Sequence, residues 1–252
     1  MLRLLSVLFC LVLLNAAPPA NAAEAEHAPQ QHWSFDGLFG TYDRGALQRG
    51  YLVYSQVCAA CHSMDRVSYR NLADLGYNEA EIKAIAANFM VTDGPNDEGD
   101  MFERPARPSD NFVNPFPNKQ AAVYANNGAF PPDMSLLAKA RHNGPDYIYA
   151  LLNGYEEPPA DTELLDGQYW NRYMPGHVIA MAPPLAEGMV AYEDGSPQTV
   201  DQYAKDVAHF LAWAAEPKLE ARKRTGLKVF LFLLVFASVM YAVKRKIWAD
   251  AH

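Results

Sequence analysis

The sequence predicts a mainly α-helical exported domain with long ordered loops, held to a membrane by one C-terminal helix. Three observations carry this. An apolar leader opens the chain, an apolar run of 17 residues lies near its end, and apolar residues recur at helical spacing between them. With 252 residues, half of them apolar, the chain is long enough to bury a substantial core.

Arg3 precedes an apolar stretch over residues 4–14, and Ala20-Asn21-Ala22 has the small-x-small form of a cleavage site. Residues 1–22 are therefore read as a cleaved signal peptide, too short to span a bilayer. Cys10 would leave with it. A lipidated cysteine fits less well, because the apolar run continues past Cys10. At the other end, residues 227–243 are apolar apart from Lys228, Ser238 and Tyr241. That run extends roughly 26 Å as a helix, close to the ~30 Å hydrocarbon core. No polar face remains to meet water, which argues against a soluble helix. Basic residues flank both ends of the run, so they do not orient it. The leader does: it exports residues 23–221, the anchor occupies 222–246, and residues 247–252 form a cytoplasmic tail.

Up to Ala221 the chain has 28 acidic and 14 basic residues. An acidic body argues against nucleic acid and favours a partner with a basic face. Helices are expected over residues 43–56, over 79–90 with Asn78 and Glu81 as a capping box, after Asp133, from about Pro145 to the Asn153-Gly154 stop, and over 197–215 with Ser196 as cap. The segment VTDGPNDEGDMFERPARPSDNFVNPFPN reads as irregular, and no convincing pair of alternating strands is visible.

The chemistry-bearing stretch is VCAACHS, residues 57–63. A thioredoxin-like dithiol shares its spacing but wants a βαβ setting, and a helix precedes this motif. A structural zinc site needs four ligands; no further cysteine remains, and His32, His142, His177 and His209 lack a zinc-like pairing. A disulfide between Cys58 and Cys61 would be strained. Cys-x-x-Cys-His is the attachment motif of haem c: Cys58 and Cys61 form thioethers to the haem vinyl groups, and His62 ligates iron. The opposite ligand decides the function. Methionine favours ferrous iron, and a carrier wants both axial positions filled. Among Met64, Met90, Met101, Met134, Met174, Met181 and Met189, the stiff AMAPPL segment makes Met181 the leading candidate, with His177 its rival.

Several further stretches carry a resemblance: SFDGLFGTYDRGALQRGYLVYSQVCAACHSM, YRNL, ANNGAFPPDMSLLAKARHNGPDYIYALLNGYEEPP, YMPGHVIAMAPPL and AKDVAHFLAWAAEP. Together they resemble the cytochrome c1 family, the haem c subunits of quinol–cytochrome c reductase (bc1) complexes, in its bacterial form, over nearly the whole mature chain. The resemblance implies a cytochrome c-like haem domain, one covalently bound haem c and Met181 as sixth ligand. It also implies that Arg141 pairs with a haem propionate and that Pro132 and Tyr147 line the pocket. Implied partners are cytochrome b, a Rieske iron–sulfur protein as donor, a soluble or membrane-anchored cytochrome c as acceptor, and membrane lipid. The implied location is the bacterial inner membrane, haem domain in the periplasm. Quinol oxidation would belong to other subunits. Some relatives carry an extra disulfide, for which this mature chain has no cysteines. Other readings of the motif are an anchored c-type cytochrome serving an oxidase and a haem enzyme with an open iron site. Asp93, Asp97, Glu98, Asp100 and Glu103 are the candidate docking patch.

Overall fold

A computed structural model describes residues 26–249. The signal-peptide reading and the last residues of the tail lie outside them. The described chain is mainly helical. Helix α1 spans Arg44–Gln56, and Asp43 caps it by accepting from the Ala46 N–H. A short 3-10 turn, Cys58–Ala60, follows directly, and a second covers Tyr69–Leu75. Helix α2 spans Glu79–Ala87. Strands β1 (Met90–Asp93) and β2 (Phe102–Pro105) pair antiparallel. Helices α3 (Lys119–Ala125), α4 (Leu137–Ala140) and α5 (Gly144–Asn153) come next, then a small hairpin of β3 (Tyr169–Trp170) and β4 (Val178–Ile179). Helix α6 spans Val200–Ala215 and α7 spans Leu219–Ile247.

Helix α6 is the axle of the domain. Residues 203–204 and 206–215 are all buried, so the helix meets neighbours all round rather than on one stripe. Helix α1 crosses it at Gly50, where a Cβ would lie 2.1 Å from the Asp206 carbonyl oxygen and 2.6 Å from Phe210 Cβ. Only glycine permits that approach. Around the crossing sit Leu47, Val53, Tyr54, Phe210, Leu211 and Trp213, each at most 3 % exposed. Every such aliphatic or aromatic side chain contributes about 1.5–3 kcal/mol by burial. The crossing fixes the end of α1, which hands the chain to Cys58.

Three sequence expectations need correction. Met90 leaves the second helix and joins β1, because pairing of Met90 with Pro105 and Val91 with Arg104 outweighs the local helical spacing. The irregular segment thus holds a true hairpin, and a second one exists at β3–β4. The last soluble helix begins at Val200 rather than Pro197. Thr199 caps it by accepting from Gln202 N–H, while Ser196 is drawn into a turn on the Asp194 carboxylate.

His209 shows how the N-terminal segment is fastened. It projects from α6 into a box of Trp33, Phe35 and Tyr42, with the Phe35 ring 4.9 Å away. The Asp43 N–H donates to its Nε2 at 3.3 Å, and Ser34 Oγ lies 3.4 Å away. Burial pulls the imidazole down to about 4; Asp43 opposes this, while Arg49, Lys205 and Arg44 reinforce it. The unfolded chain therefore takes up this proton first as pH falls. Stability should be complete above about pH 6.5 and drain away towards pH 4, by up to about 3 kcal/mol. Denaturant titrations of His209→Gln should show a flatter profile across that window. An unchanged slope would remove His209 as its source.

Helix α7 is 29 residues long, and its apolar side chains stand exposed, Phe232 at 66 % and Val235 at 61 %. At 1.5 Å per residue it extends about 44 Å, enough to cross a bilayer with its headgroups. Only three residues separate it from α6, and its first turns are tied back. Glu220 accepts from Tyr42 N–H at 2.9 Å and meets Arg44 at 3.2 Å. Glu216 binds Lys139 at 3.2 Å and Arg222 at 2.5 Å.

Candidate functional site

The Cys58–Ala60 turn compresses the motif into one cluster. The N–H groups of Cys61 and His62 both donate to the Cys58 carbonyl, at 3.1 and 2.9 Å. Cys58 is half-buried against the core and Cys61 is exposed; the two thiols are not joined. Burial, aided by Cys61, pushes the Cys58 thiol up to about 12. Among the described residues no three His, Cys, Asp or Glu side chains converge.

His62 is oriented by its second nitrogen. Its Nδ1 lies 2.8 Å from the Pro132 carbonyl oxygen. A carbonyl only accepts, so Nδ1 carries the proton and Nε2 keeps a free lone pair. Burial lowers the imidazole's proton affinity, against the opposing pull of the Pro132 carbonyl and Asp133. Burial thus favours the neutral ring, the form that ligates iron. These are the features a haem c site requires: two separate thiols one helical turn apart and a neutral histidine with one nitrogen fixed. Pro132 reaches the motif through its carbonyl.

The Pro132 segment is held by Asp133, which the sequence reading missed. Asp133 accepts from Asp65 N–H at 2.8 Å and Ser63 Oγ–H at 2.9 Å on the motif side, and from Ser135 N–H at 2.9 Å on its own. Burial works to raise this carboxyl, but these bonds outweigh it and hold it below the usual carboxylate range. Met134 N–H adds a 2.9 Å bond to the Ser63 carbonyl. The sequence placed a short helix after Asp133, four residues before its first turn at Leu137, but carried no sign of the aspartate's grip on residues 63–65.

Met181 lies on a different loop, beyond the β3–β4 hairpin. Tyr155 donates its hydroxyl to the Met181 carbonyl at 3.1 Å. Asn171, fully buried, fixes the hairpin beneath: its amide donates to the Leu151 carbonyl at 2.8 Å, its side-chain oxygen accepts from Tyr173 N–H, and its N–H donates to the His177 carbonyl. His177 stacks on Trp170 with ring centroids 4.7 Å apart. Met64 is wholly buried in the core. Tyr147 is half-buried and donates to Met174 Sδ at 3.7 Å; burial raises its hydroxyl, partly opposed by nearby Arg141. Arg141 itself is exposed at the end of α4. The structure thus joins His62 to Pro132, leaves Arg141 near enough to Tyr147 to act on it electrostatically, and carries Met181 on a separately braced loop.

A family model described as the Cytochrome C1 family matches residues 33–251. The chain belongs to the cytochrome c1 family. Relatives agree. Cytochrome c1 of Rhodospirillum rubrum is 48% identical, over 88% of this chain and 87% of that protein. Cytochrome c1 1, heme protein, mitochondrial of Arabidopsis thaliana is 50% identical, over 93% and 77%. Cytochrome b/c1 of Bradyrhizobium diazoefficiens is 50% identical over 96% of this chain, which spans only 38% of that longer protein. As a family member the chain carries one covalently bound haem c, for which Cys58 and Cys61 fit the attachment motif. It is a membrane-anchored electron-transfer subunit of the bc1 complex and works with cytochrome b and the Rieske protein.

Proposed function

We propose that this chain relays single electrons from the Rieske protein to a cytochrome c, and that His62 and Met181 would be the residues ligating the iron of its haem. The observation that carries the reading is the His62 Nδ1–H bond to the Pro132 carbonyl, which leaves Nε2 as a ligand. Haem c, when bound, supplies a one-electron ferrous–ferric couple. The chain's own residues do the positioning. Asp133 clamps the histidine's carbonyl partner to the motif, and Tyr155 holds the backbone of Met181. A backbone segment held this way has less freedom to lose when the haem is bound. Arg141 offers a fork suited to a haem propionate, and Tyr147, which donates to Met174 Sδ, would line the haem pocket.

The export leader would put residues 23–221 in the periplasm of a bacterial inner membrane, leave residues 247–252 in the cytoplasm, and set the 222–246 part of α7 among membrane lipid. The acceptor would be a soluble or anchored cytochrome c with a basic face. Asp97, Glu98 and Asp100, exposed at the β1–β2 tip, are its candidate contacts. Asp93 is less available, since Arg104 holds it, and Glu103 accepts from Thr92 Oγ1–H at 2.5 Å.

A filled sixth position should make the reduced protein bind carbon monoxide slowly or not at all in the isolated native complex. Rapid, stoichiometric binding would instead indicate an open-site haem enzyme and overturn the carrier reading. Copurification with an oxidase rather than with cytochrome b and the Rieske protein would overturn the assignment of partners.

A further inference from the structure

Among the large apolar residues exposed outside the membrane helix, Leu38 and Phe39 are neighbours in the chain. Leu38 is 58 % exposed and Phe39 77 % exposed, although their neighbours Phe35 and Tyr42 are buried. They form the tip of a closed turn. Asp36 N–H donates to the Trp33 carbonyl, Trp33 N–H donates back to the Asp36 carboxylate, and Thr41 N–H donates to the Ser34 carbonyl. Gly37 adopts φ +66°, and a Cβ on Gly40 would lie 2.0 Å from the Asp36 carbonyl oxygen. The backbone is therefore committed to presenting this tip outward.

The anchor grips the base of the turn. Lys223 of α7 donates its ammonium to the Phe35 carbonyl at 2.6 Å and to the Gly40 carbonyl at 3.2 Å, one on each side of the tip. One helical turn further, on the same face, lies Leu227. It opens the apolar run, and it is the only residue of α7 after Lys223 that is not exposed. The rise from Lys223 to Leu227 is about 6 Å, comparable with the headgroup layer on one side of a bilayer. Arg222, Arg224 and Lys228 surround the junction with positive charge suited to lipid phosphates.

We infer that the Leu38–Phe39 tip enters the lipid interface beside α7, as a second contact that fixes how the haem domain leans on the membrane. Continuity with the membrane helix, through Lys223, selects lipid as the occupant. The inference rests on α7 crossing the bilayer, and the test separates the two. A nitroxide is attached at Phe39→Cys, at Leu38→Cys, at Phe232→Cys within the span, and at Gly99→Cys on the distant β1–β2 tip. Cys58 and Cys61 are consumed by haem, so the unsubstituted holoprotein should take no label. In proteoliposomes of the full chain and of the assembled complex, relaxation by dissolved oxygen is compared with relaxation by a water-soluble nickel chelate. The labels at 38 and 39 should show an oxygen-to-nickel ratio several-fold above that at 99 and approaching that at 232. A ratio equal to that at 99, with 232 still lipid-like, would overturn the inference alone. Shielding from both reagents in the complex would show that another subunit covers the tip, and would also overturn it. A water-like label at 232 would overturn the membrane reading of α7 and this inference with it.

Discussion

Replacing Met181 with leucine should leave haem attached through Cys58 and Cys61 while removing the sulfur from iron. Leucine nearly matches methionine in volume, so the fold should lose less than about 1.5 kcal/mol. The backbone bond from Tyr155 to residue 181 is unaffected, because it uses the carbonyl. The expected change is in the couple. A thioether stabilises ferrous iron, and without it the midpoint potential should fall by on the order of 0.2 V, within the ~0.8 V that axial ligands span. Reduction by the Rieske protein should then become unfavourable, and quinol-driven reduction of cytochrome c should stop. Carbon monoxide should gain rapid access to the reduced iron. Redox titration and flash-induced electron transfer in membranes measure both effects.

The second large effect lies in the scaffold. Asp206 is 1 % exposed on α6 and accepts from Arg49 Nε at 2.9 Å, Arg49 Nη2 at 3.1 Å and Gln202 Nε2 at 3.0 Å. Arg49 also reaches Asp194 at 2.7 Å and stands over the Tyr192 ring at 5.8 Å. One guanidinium thus joins α1, the loop before α6, and α6 itself. Arg49→Met should leave Asp206 buried with a single amide donor and destabilise the domain by about 3–5 kcal/mol. Arg49→Met with Asp206→Leu should recover most of that, since replacing both charges is far less harmful than stranding one. Denaturant unfolding of the detergent-solubilised holoprotein, followed by the haem band, measures the cycle. Equal losses in the single and double variants would show that packing by the arginine stem, rather than the stranded charge, sets the effect.

What was legible in the sequence was local. Asp43 and the Asn78–Glu81 box mark helix starts because a cap bonds to an amide three residues away. The Cys58–Cys61–His62 cluster is legible for the same reason, since one short turn builds it. The misread elements depend on distant partners. Met90 is drawn from helix to strand by Pro105, and nothing within residues 79–90 announces that pairing. Ser196 looked like a cap beside Pro197, but its amide is taken by Asp194, which Arg49 holds from across the sequence. The site divides in the same way. His62 was plain, whereas its clamp at Asp133 is about seventy positions away and the Tyr155 brace on Met181 spans 26 positions. Periodicity and motif spacing carry no record of such contacts. Local reading made Met181 the leading sixth-ligand candidate with His177 as its rival; the family resemblance favoured Met181 and added Pro132.

The central claim is that iron sits between His62 and Met181, and near-infrared magnetic circular dichroism of the ferric protein tests it most directly. Met174 is the control, because it lies seven positions upstream and its sulfur already meets the Tyr147 hydroxyl. The wild type and Met174→Leu should both display the methionine-to-iron charge-transfer band, and Met181→Leu should lack it. A band that survives in Met181→Leu, or a wild-type spectrum of bis-histidine or five-coordinate iron, would contradict the account.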